Sequence, residues 1–72
     1  MKINLNVKNM IAKMRQARNE EDLEGIHDTF YKMYNLGFIT YDEWKKFTQA
    51  TDGWVFDEND RLVDFDTGKE IA

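Results

Sequence analysis

Among the side chains of this sequence that could take part in acid–base chemistry are a single histidine, His27, and fourteen carboxylates. The chain contains no serine and no cysteine, so the common covalent nucleophiles are missing, and a threonine would need an activating base beside it. Histidine is the residue type that titrates near neutral pH. However, His27 directly follows Ile26 and lies three residues before Phe30, on the edge of an apolar stripe. This position is typical of the boundary of a buried helix face, and we predict no catalytic residue and no enzymatic activity.

The carboxylates do not follow the spacing of a calcium loop. A loop of the EF-hand type needs oxygen ligands at alternate positions, a glycine at the sixth and a glutamate at the twelfth. Counted from Asp57, the sixth residue is Leu62 and the twelfth is Gly68. A phosphate-binding loop needs clustered glycines, whereas the glycines of this chain are isolated, at positions 25, 37, 53 and 68. We therefore predict neither a metal nor a cofactor.

Charge is distributed unevenly along the chain, although the net charge is only -4. Residues 1–18 carry five lysines and arginines and no acid, residues 19–47 carry seven acids and three bases, and residues 48–72 carry seven acids and two bases. The two ends could attract each other in the fold, or one charged face could meet a charged partner. A nucleic-acid footprint needs several cations on one surface, and the acidic remainder would repel phosphates. The sequence therefore favours a protein partner over direct nucleic-acid binding.

The size and composition of the chain predict one small domain over residues 1–72. A chain of this length hides only about 60% of its unfolded surface, and without cysteine it needs a dense core or a partner subunit. Aromatic residues make up 14% of the chain and could supply that core. No apolar run is long enough to span a bilayer, and the absence of cysteine fits a reducing compartment. We predict a cytoplasmic protein without membrane association.

Apolar spacing predicts two helices in the first half of the chain. After a short extended lead-in, Asn6 can cap a basic helix over residues 7–18. Asn19 and the acids that follow it can start a second helix. The apolar positions of the second helix recur three and four residues apart, at Leu23, Ile26, Phe30, Met33 and Tyr34. Gly25 weakens this helix by roughly 1 kcal/mol relative to alanine, so that packing compensates for it or another backbone approaches it.

A turn between two helices is predicted at residues 36–40. Gly37 supplies a left-handed residue that ends the second helix, after which Phe38 and Ile39 are expected to enter the core. Thr40 and Glu43 stand three apart, as a capping box requires. The third helix is predicted over residues 41–50, with one face formed by Tyr41, Trp44, Phe47 and Thr48.

The C-terminal part, residues 53–72, has the period of strands. Two short β-prone runs, 54–56 and 61–65, flank the turn-forming sequence DEND. Because an isolated hairpin is marginal in water, this one must pack on the helices or pair with residues 2–7. We expect Trp54, Phe56 and Phe65 to close the core. The predicted class is thus α+β, with a basic segment 1–18, a helical hairpin 19–50 and a β-hairpin with a tail.

The segment 23–50 resembles SHOCT, a short helical hairpin often found at the C-terminus of bacterial proteins. Its signature is an apolar helix followed by G-x-I-T-x-x-E-F, which Gly37, Ile39, Thr40 and Glu43 match, with Trp44 at the phenylalanine position. The resemblance implies a non-catalytic interaction or oligomerisation element. The whole chain also resembles the short accessory proteins of bacteriophages.

These observations predict a non-enzymatic protein-binding module, of the kind a phage uses to inhibit or modulate a host protein by occluding its surface. The host cytoplasm would then be its location, and a nucleic-acid-binding or regulatory protein its partner. An acidic DNA mimic and a self-associating module, such as a homodimer, are the alternatives. The expected contact residues are Tyr31, Tyr41, Trp54, Glu20, Glu21, Glu24, Asp28, Asp57, Glu58 and Asp60.

Overall fold

Three helices and a two-stranded antiparallel hairpin follow one another in a computed structural model that describes residues 6–71. The elements in order are α1 (Val7–Arg15), α2 (Glu20–Asn35), α3 (Tyr41–Ala50), β1 (Trp54–Phe56) and β2 (Leu62–Asp64). This is the predicted α+β class. The predicted lead-in, and its pairing with the hairpin, fall mostly on residues 1–5, which lie outside the described residues.

Helix α1 begins where its cap was predicted but ends earlier than residue 18. The side chain of Asn6 accepts the N–H of Asn9 at 2.8 Å, which satisfies one of the exposed amides of the first turn. Met10 and Met14 are buried. The helix stops because the amide of Gln16 bonds the carbonyl of Lys13, which tightens the chain before the next cap.

Helix α2 begins at the cap that the sequence indicated. The side chain of Asn19 accepts the N–H of Asp22 at 2.8 Å, and three acids occupy the first turn. Leu23 and Phe30 are buried on the face that meets the other helices. Gly25 is exposed, and a Cβ built there meets no atom within 4 Å, so no other backbone approaches it.

The core lies where α1, α2 and α3 meet, with one residue added by the hairpin. Its centre is Phe47, whose side chain is 0% exposed, and the ring of Phe30 meets it edge-on at 5.4 Å. The buried apolar set is Met10, Met14, Leu23, Phe30, Ile39, Phe47 and Leu62. Ten further hydrophobic residues are partly buried against this set, so each element contributes to one cluster.

The turn between α2 and α3 has the predicted backbone but not the predicted packing. Gly37 has φ 86°, and the amides of Gly37 and Phe38 bond the carbonyls of Tyr34 and Met33, which is a Schellman motif. Ile39 enters the core at 2% exposure. The expectation that Phe38 joins it is wrong, since Phe38 is 68% exposed. The backbone turns between these neighbours, and only one of them reaches the core.

The hairpin has the predicted first strand, and its second strand lies within the predicted run 61–65 but with a different residue facing the core. Val55 pairs with Val63 and Phe56 with Leu62, so Leu62 lies on the same face as the half-buried Phe56 and is itself buried. The prediction that Phe65 closes the core is wrong, because Phe65 follows β2 and is 75% exposed. Since side chains alternate along a strand, a shift of one residue exchanges the core-facing set.

A turn follows β2 close to the sequence DTGK, where a second turn is predicted before the tail. Residue 68 is a glycine with φ 71°, and its amide bonds the carbonyl of Asp64. The chain then returns along β2, where Val63 forms a bridge with Glu70 and the amide of Ile71 bonds the carbonyl of Leu62. These bonds pair the outer edge of β2.

Candidate protein-binding surfaces

Acids from two distant parts of the sequence line one open groove of about 520 Å³. We call it the acidic groove. It is formed by Asn19, Glu20, Glu21, Glu24, Phe56, Asp57 and Asp60. The first turn and a half of α2 supplies one wall, and the end of β1 with the DEND turn supplies the other. The fold therefore brings together five of the seven acids that the sequence predicted as contact residues.

The DEND wall of the groove is held by a single carboxylate. Oδ1 of Asp57 accepts the N–H groups of Asn59 and Arg61, both at 2.9 Å, and its other oxygen accepts the side-chain N–H of Arg61 at 3.3 Å. The backbone hydrogen bond from Arg61 is the largest of the effects that lower the pKa of Asp57 below its ordinary value of 3.8. Asp60 has φ 58°, a conformation that aspartate tolerates better than most residues.

The two remaining predicted acids lie away from this groove. Glu58 is exposed in the DEND turn and is not part of the groove wall. Asp28 lines a separate open cavity of about 600 Å³ between α2, the end of α3 and the start of β1. His27 and the predicted anchor Trp54 line the same cavity. Trp54 is half-buried and packs against the core.

The surroundings of His27 are those of a helix boundary. Its ring is half-buried against Trp44, at 5.3 Å between centroids, and against Phe47 at 6.2 Å. The nearest acid is Asp28, at 4.0 Å from Nδ1, which is longer than a hydrogen bond. The nearby hydroxyl of Thr51 donates to the carbonyl of Phe47 at 2.9 Å. The described residues therefore hold no histidine–hydroxyl or histidine–carboxylate hydrogen bond at this place.

Predicted anchor Tyr31 belongs to an aromatic seam between α2 and α3. Trp44 of α3 lies at the centre of the seam, and its ring stacks on Tyr34 at 5.6 Å with an angle of 5°. Tyr31 packs on the same tryptophan at 5.6 Å but is 48% exposed. The seam thus fixes the ring of Tyr31 on one side and leaves the other side open to solvent.

The third predicted aromatic anchor, Tyr41, lies close in sequence to two other exposed hydrophobic residues. Leu36 is 72% exposed, Phe38 is 68% exposed and Tyr41 is 63% exposed. Leu36 and Phe38 belong to the connection between α2 and α3, and Tyr41 is the first residue of α3. We call these three side chains the corner surface. Scattered single apolar residues are normal on a protein surface, whereas clustered ones mark interaction sites.

The backbone beneath the corner surface is held at both ends. The Schellman motif fixes Gly37 and Phe38, as described above. The hydroxyl of Thr40 accepts the N–H of Glu43 at 3.2 Å, and the Glu43 carboxylate accepts the N–H of Thr40 at 3.0 Å, which completes the predicted capping box. The hydrogen bond from the backbone N–H of Thr40 is the largest of the effects that lower the pKa of Glu43 below its ordinary value of 4.5. The apolar side chains are therefore presented on a fixed frame.

Leu36 and Phe38 are exposed residues that were not predicted from the sequence. A signal for Leu36 exists: at 3.6 residues per turn the stripe of α2 continues after Phe30 through positions 33, 34 and 37, and position 36 is not on it. For Phe38 and its neighbour Ile39 the sequence carries no comparable signal. Both are large and apolar, and only the course of the folded chain decides which one is buried.

Comparison of the chain with known protein families, with curated proteins and with solved structures finds no match. The resemblance of residues 23–50 to SHOCT thus stays a prediction. Within residues 6–71, no helix has the length and apolar character needed to cross a membrane. The same part of the chain holds no group of three or more histidine, cysteine or acidic side chains arranged to bind a metal ion.

Proposed function

We propose that this protein is a non-enzymatic protein-binding module and that the corner surface is its docking face. One observation supports the proposal most strongly: Leu36, Phe38 and Tyr41 are each more than 60% exposed and lie within six consecutive residues. Burying the apolar surface of such side chains against a partner would contribute roughly 25 cal/mol of favourable free energy per Å². Leaving them in water gives the isolated domain no benefit.

The rigid frame of the corner also favours binding. A surface that is already fixed in the free protein loses little conformational entropy on association. The Schellman motif and the capping box hold the backbone, and a few aromatic or apolar anchors of this kind carry most of the energy of an interface. Such a protein acts by occluding its partner, as a small phage-encoded inhibitor of a host protein would.

Photocrosslinking can test the docking face directly. Benzoylphenylalanine replaces Phe38 in one preparation and Phe65 in a second, which is a matched control because the two side chains are 68% and 75% exposed and only the first is in the corner. Both proteins are irradiated in bacterial lysate. We expect a discrete adduct from position 38 that disappears when Leu36→Ser is added. Equal adducts from both positions, or none from position 38, would count against the proposal.

A second candidate function, an acidic DNA mimic, is favoured by the acidic groove. There the carboxylates of α2 and of the DEND turn stand on facing walls, as two rows of phosphates would. A mimic should capture a basic nucleic-acid-binding protein, and duplex DNA and added salt should both release it. Glu24→Gln and Asp57→Asn should weaken capture, whereas Asp66→Asn, outside the groove, should not. Capture that resists salt and DNA would exclude this function.

A further inference from the structure

The lysines around the corner surface point to the chemistry of its partner, on the premise that the corner is the docking face proposed above. Residues 19–28 carry five acids and no lysine or arginine, and residues 51–71 carry seven acids and two bases. Residues 29–50, which include the corner, carry three lysines against two acids. Residues 29–50 are thus a part of the chain after residue 18 where cations outnumber carboxylates, although both acids, Asp42 and Glu43, lie in the first turn of α3.

Two of these lysines stand next to the exposed apolar side chains. Lys32 of α2 precedes the C-cap residue Leu36 by four residues, and Lys45 follows Tyr41 by four residues on α3. Residues four apart on a helix are neighbours on its surface. Both lysines are exposed. Each therefore lies one helical turn from an apolar residue of the corner surface.

The charges of these two lysines are not neutralised within the described protein. Among residues 6–71, the close ionic contacts join Arg61 to Asp57 and His27 to Asp28, and neither Lys32 nor Lys45 makes one. Their neighbour Lys46 differs, because it acts on the carboxylate of Glu43 and helps to lower its pKa. Lys32 and Lys45 are therefore free to pair with carboxylates of a partner.

We infer that the corner surface binds a protein segment whose apolar side chains are flanked by aspartate or glutamate. Its apolar residues cover Leu36, Phe38 and Tyr41, and its carboxylates lie against Lys32 and Lys45. Charged groups at the rim of an interface select the partner and speed association more than they add affinity. A second copy of this chain fits less well, because pairing corner to corner would place lysines of equal charge around one apolar contact.

Selection from a library of random displayed peptides tests this inference without knowledge of the natural partner. The full chain is the bait, and enriched peptides are synthesised and their affinities measured by fluorescence anisotropy. We expect peptides rich in apolar and acidic residues. Phe38→Ser should weaken their binding roughly tenfold or more, as for an interface anchor. Should that variant fail to fold by circular dichroism, Leu36→Ser serves in its place.

The lysines are tested by substitutions that remove charge and keep length. Lys32→Gln with Lys45→Gln should weaken the same peptides several-fold, mainly through slower association at low salt, while Lys69→Gln, an exposed lysine on the tail, should leave them unchanged. Peptides that need Phe38 but are neutral or basic, or that ignore both lysines, would overturn the inference and leave the proposed docking face standing.

Two other results would contradict the inference in a different way. If every enriched peptide ignores Phe38 and Leu36, or is basic and depends on Glu24 and Asp57, then the corner is not the docking face and both proposals fail. A dimer that is seen in sedimentation velocity and is dissociated by Phe38→Ser would show that the partner of the corner surface is a second copy of the chain and not an acidic segment.

Discussion

The α2–α3 corner and the β1–β2 turn hold their backbones in similar ways but present opposite chemistry to solvent. Each contains a residue with left-handed φ, Gly37 at 86° and Asp60 at 58°. Each is also held by a carboxylate that accepts backbone hydrogen bonds, Glu43 of α3 from one N–H group and Asp57 from two. The corner exposes large apolar side chains, whereas the turn exposes acids. Solubility explains surface acids but does not explain clustered apolar groups, so the corner says more about function.

In both connections, neighbouring residues have different structural roles. One residue ties each connection to the core, Ile39 at 2% exposure in the corner and Leu62 at 3% at the start of β2. The residues around it satisfy the backbone locally. The remaining side chains of each connection are then unnecessary for folding and are available to a partner.

The largest expected effect comes from the residues that tie the connections to the core. Ile39→Ala and Leu62→Ala should each lower the free energy of unfolding by about 2–5 kcal/mol, because each removes fully buried methyl groups and leaves a cavity. Ile39→Val is the mild control, with an expected loss of about 0.5–1.5 kcal/mol. Urea unfolding followed by circular dichroism measures all three. A loss for Ile39→Ala no greater than for Ile39→Val would show that the corner is not tied to the core.

A smaller effect on the free energy of unfolding is expected from substitutions at the two residues with left-handed φ, and it should differ between them. Gly37→Val should cost about 2 kcal/mol, since a β-branched residue is strained at positive φ and the Schellman motif needs that conformation. Asp60→Gly should change stability by less than about 0.5 kcal/mol, because relief of strain and the extra entropy of the unfolded chain nearly cancel. Equal losses for the two variants in urea unfolding would contradict this reading of the turns.

A glycine outside both connections gives a change of the opposite sign. Gly25 lies inside α2, is exposed, and has open space where a Cβ would stand. Gly25→Ala should therefore stabilise the protein by up to about 1 kcal/mol, the difference in helix propensity. Thermal unfolding measures the gain. A loss of stability would mean that the fold requires glycine at this position.

The smallest expected effect is a pH dependence shared by both connections. Because the fold lowers the pKa of Glu43 and of Asp57, each carboxylate stabilises the fold above its ordinary pKa of 4.5 or 3.8. This stabilisation is lost as the pH falls through the lower pKa of the folded state. Glu43→Gln and Asp57→Asn keep an acceptor oxygen and should flatten the loss of stability in acid. Unfolding curves between pH 5 and about pH 2 test this, and an unchanged slope would contradict it.

The parts of the fold that the sequence predicted are those set by interactions over three or four residues. The caps at Asn6 and Asn19, the box of Thr40 with Glu43, and the stop at Gly37 each depend only on near neighbours. For this reason they could be located from residue type and spacing. The same local rules predicted the corner as a turn and α3 within its observed bounds.

What could not be predicted depends on contacts between distant parts of the chain. The choice of Ile39 over Phe38 for the core is made by the helices around them, and the register that buries Leu62 and exposes Phe65 is made by strand pairing. The acidic groove likewise needs α2 and the DEND turn to meet. The acids could be named from the sequence, but the groove that they form together could not. The corner surface was not predicted because Phe38 was expected to be buried.

The central claim is that the corner side chains serve binding and not folding, and one measurement of stability tests it without any partner. In the variant that combines Leu36→Ser, Phe38→Ser and Tyr41→Ser, the free energy of unfolding in urea is compared with that of the unchanged protein. Since surface substitutions usually shift stability by no more than about 0.5 kcal/mol each, we predict a total change below about 1.5 kcal/mol and an unchanged circular dichroism spectrum. A loss of about 3 kcal/mol or more would show that these side chains hold the fold together, and the case for a docking surface would fall.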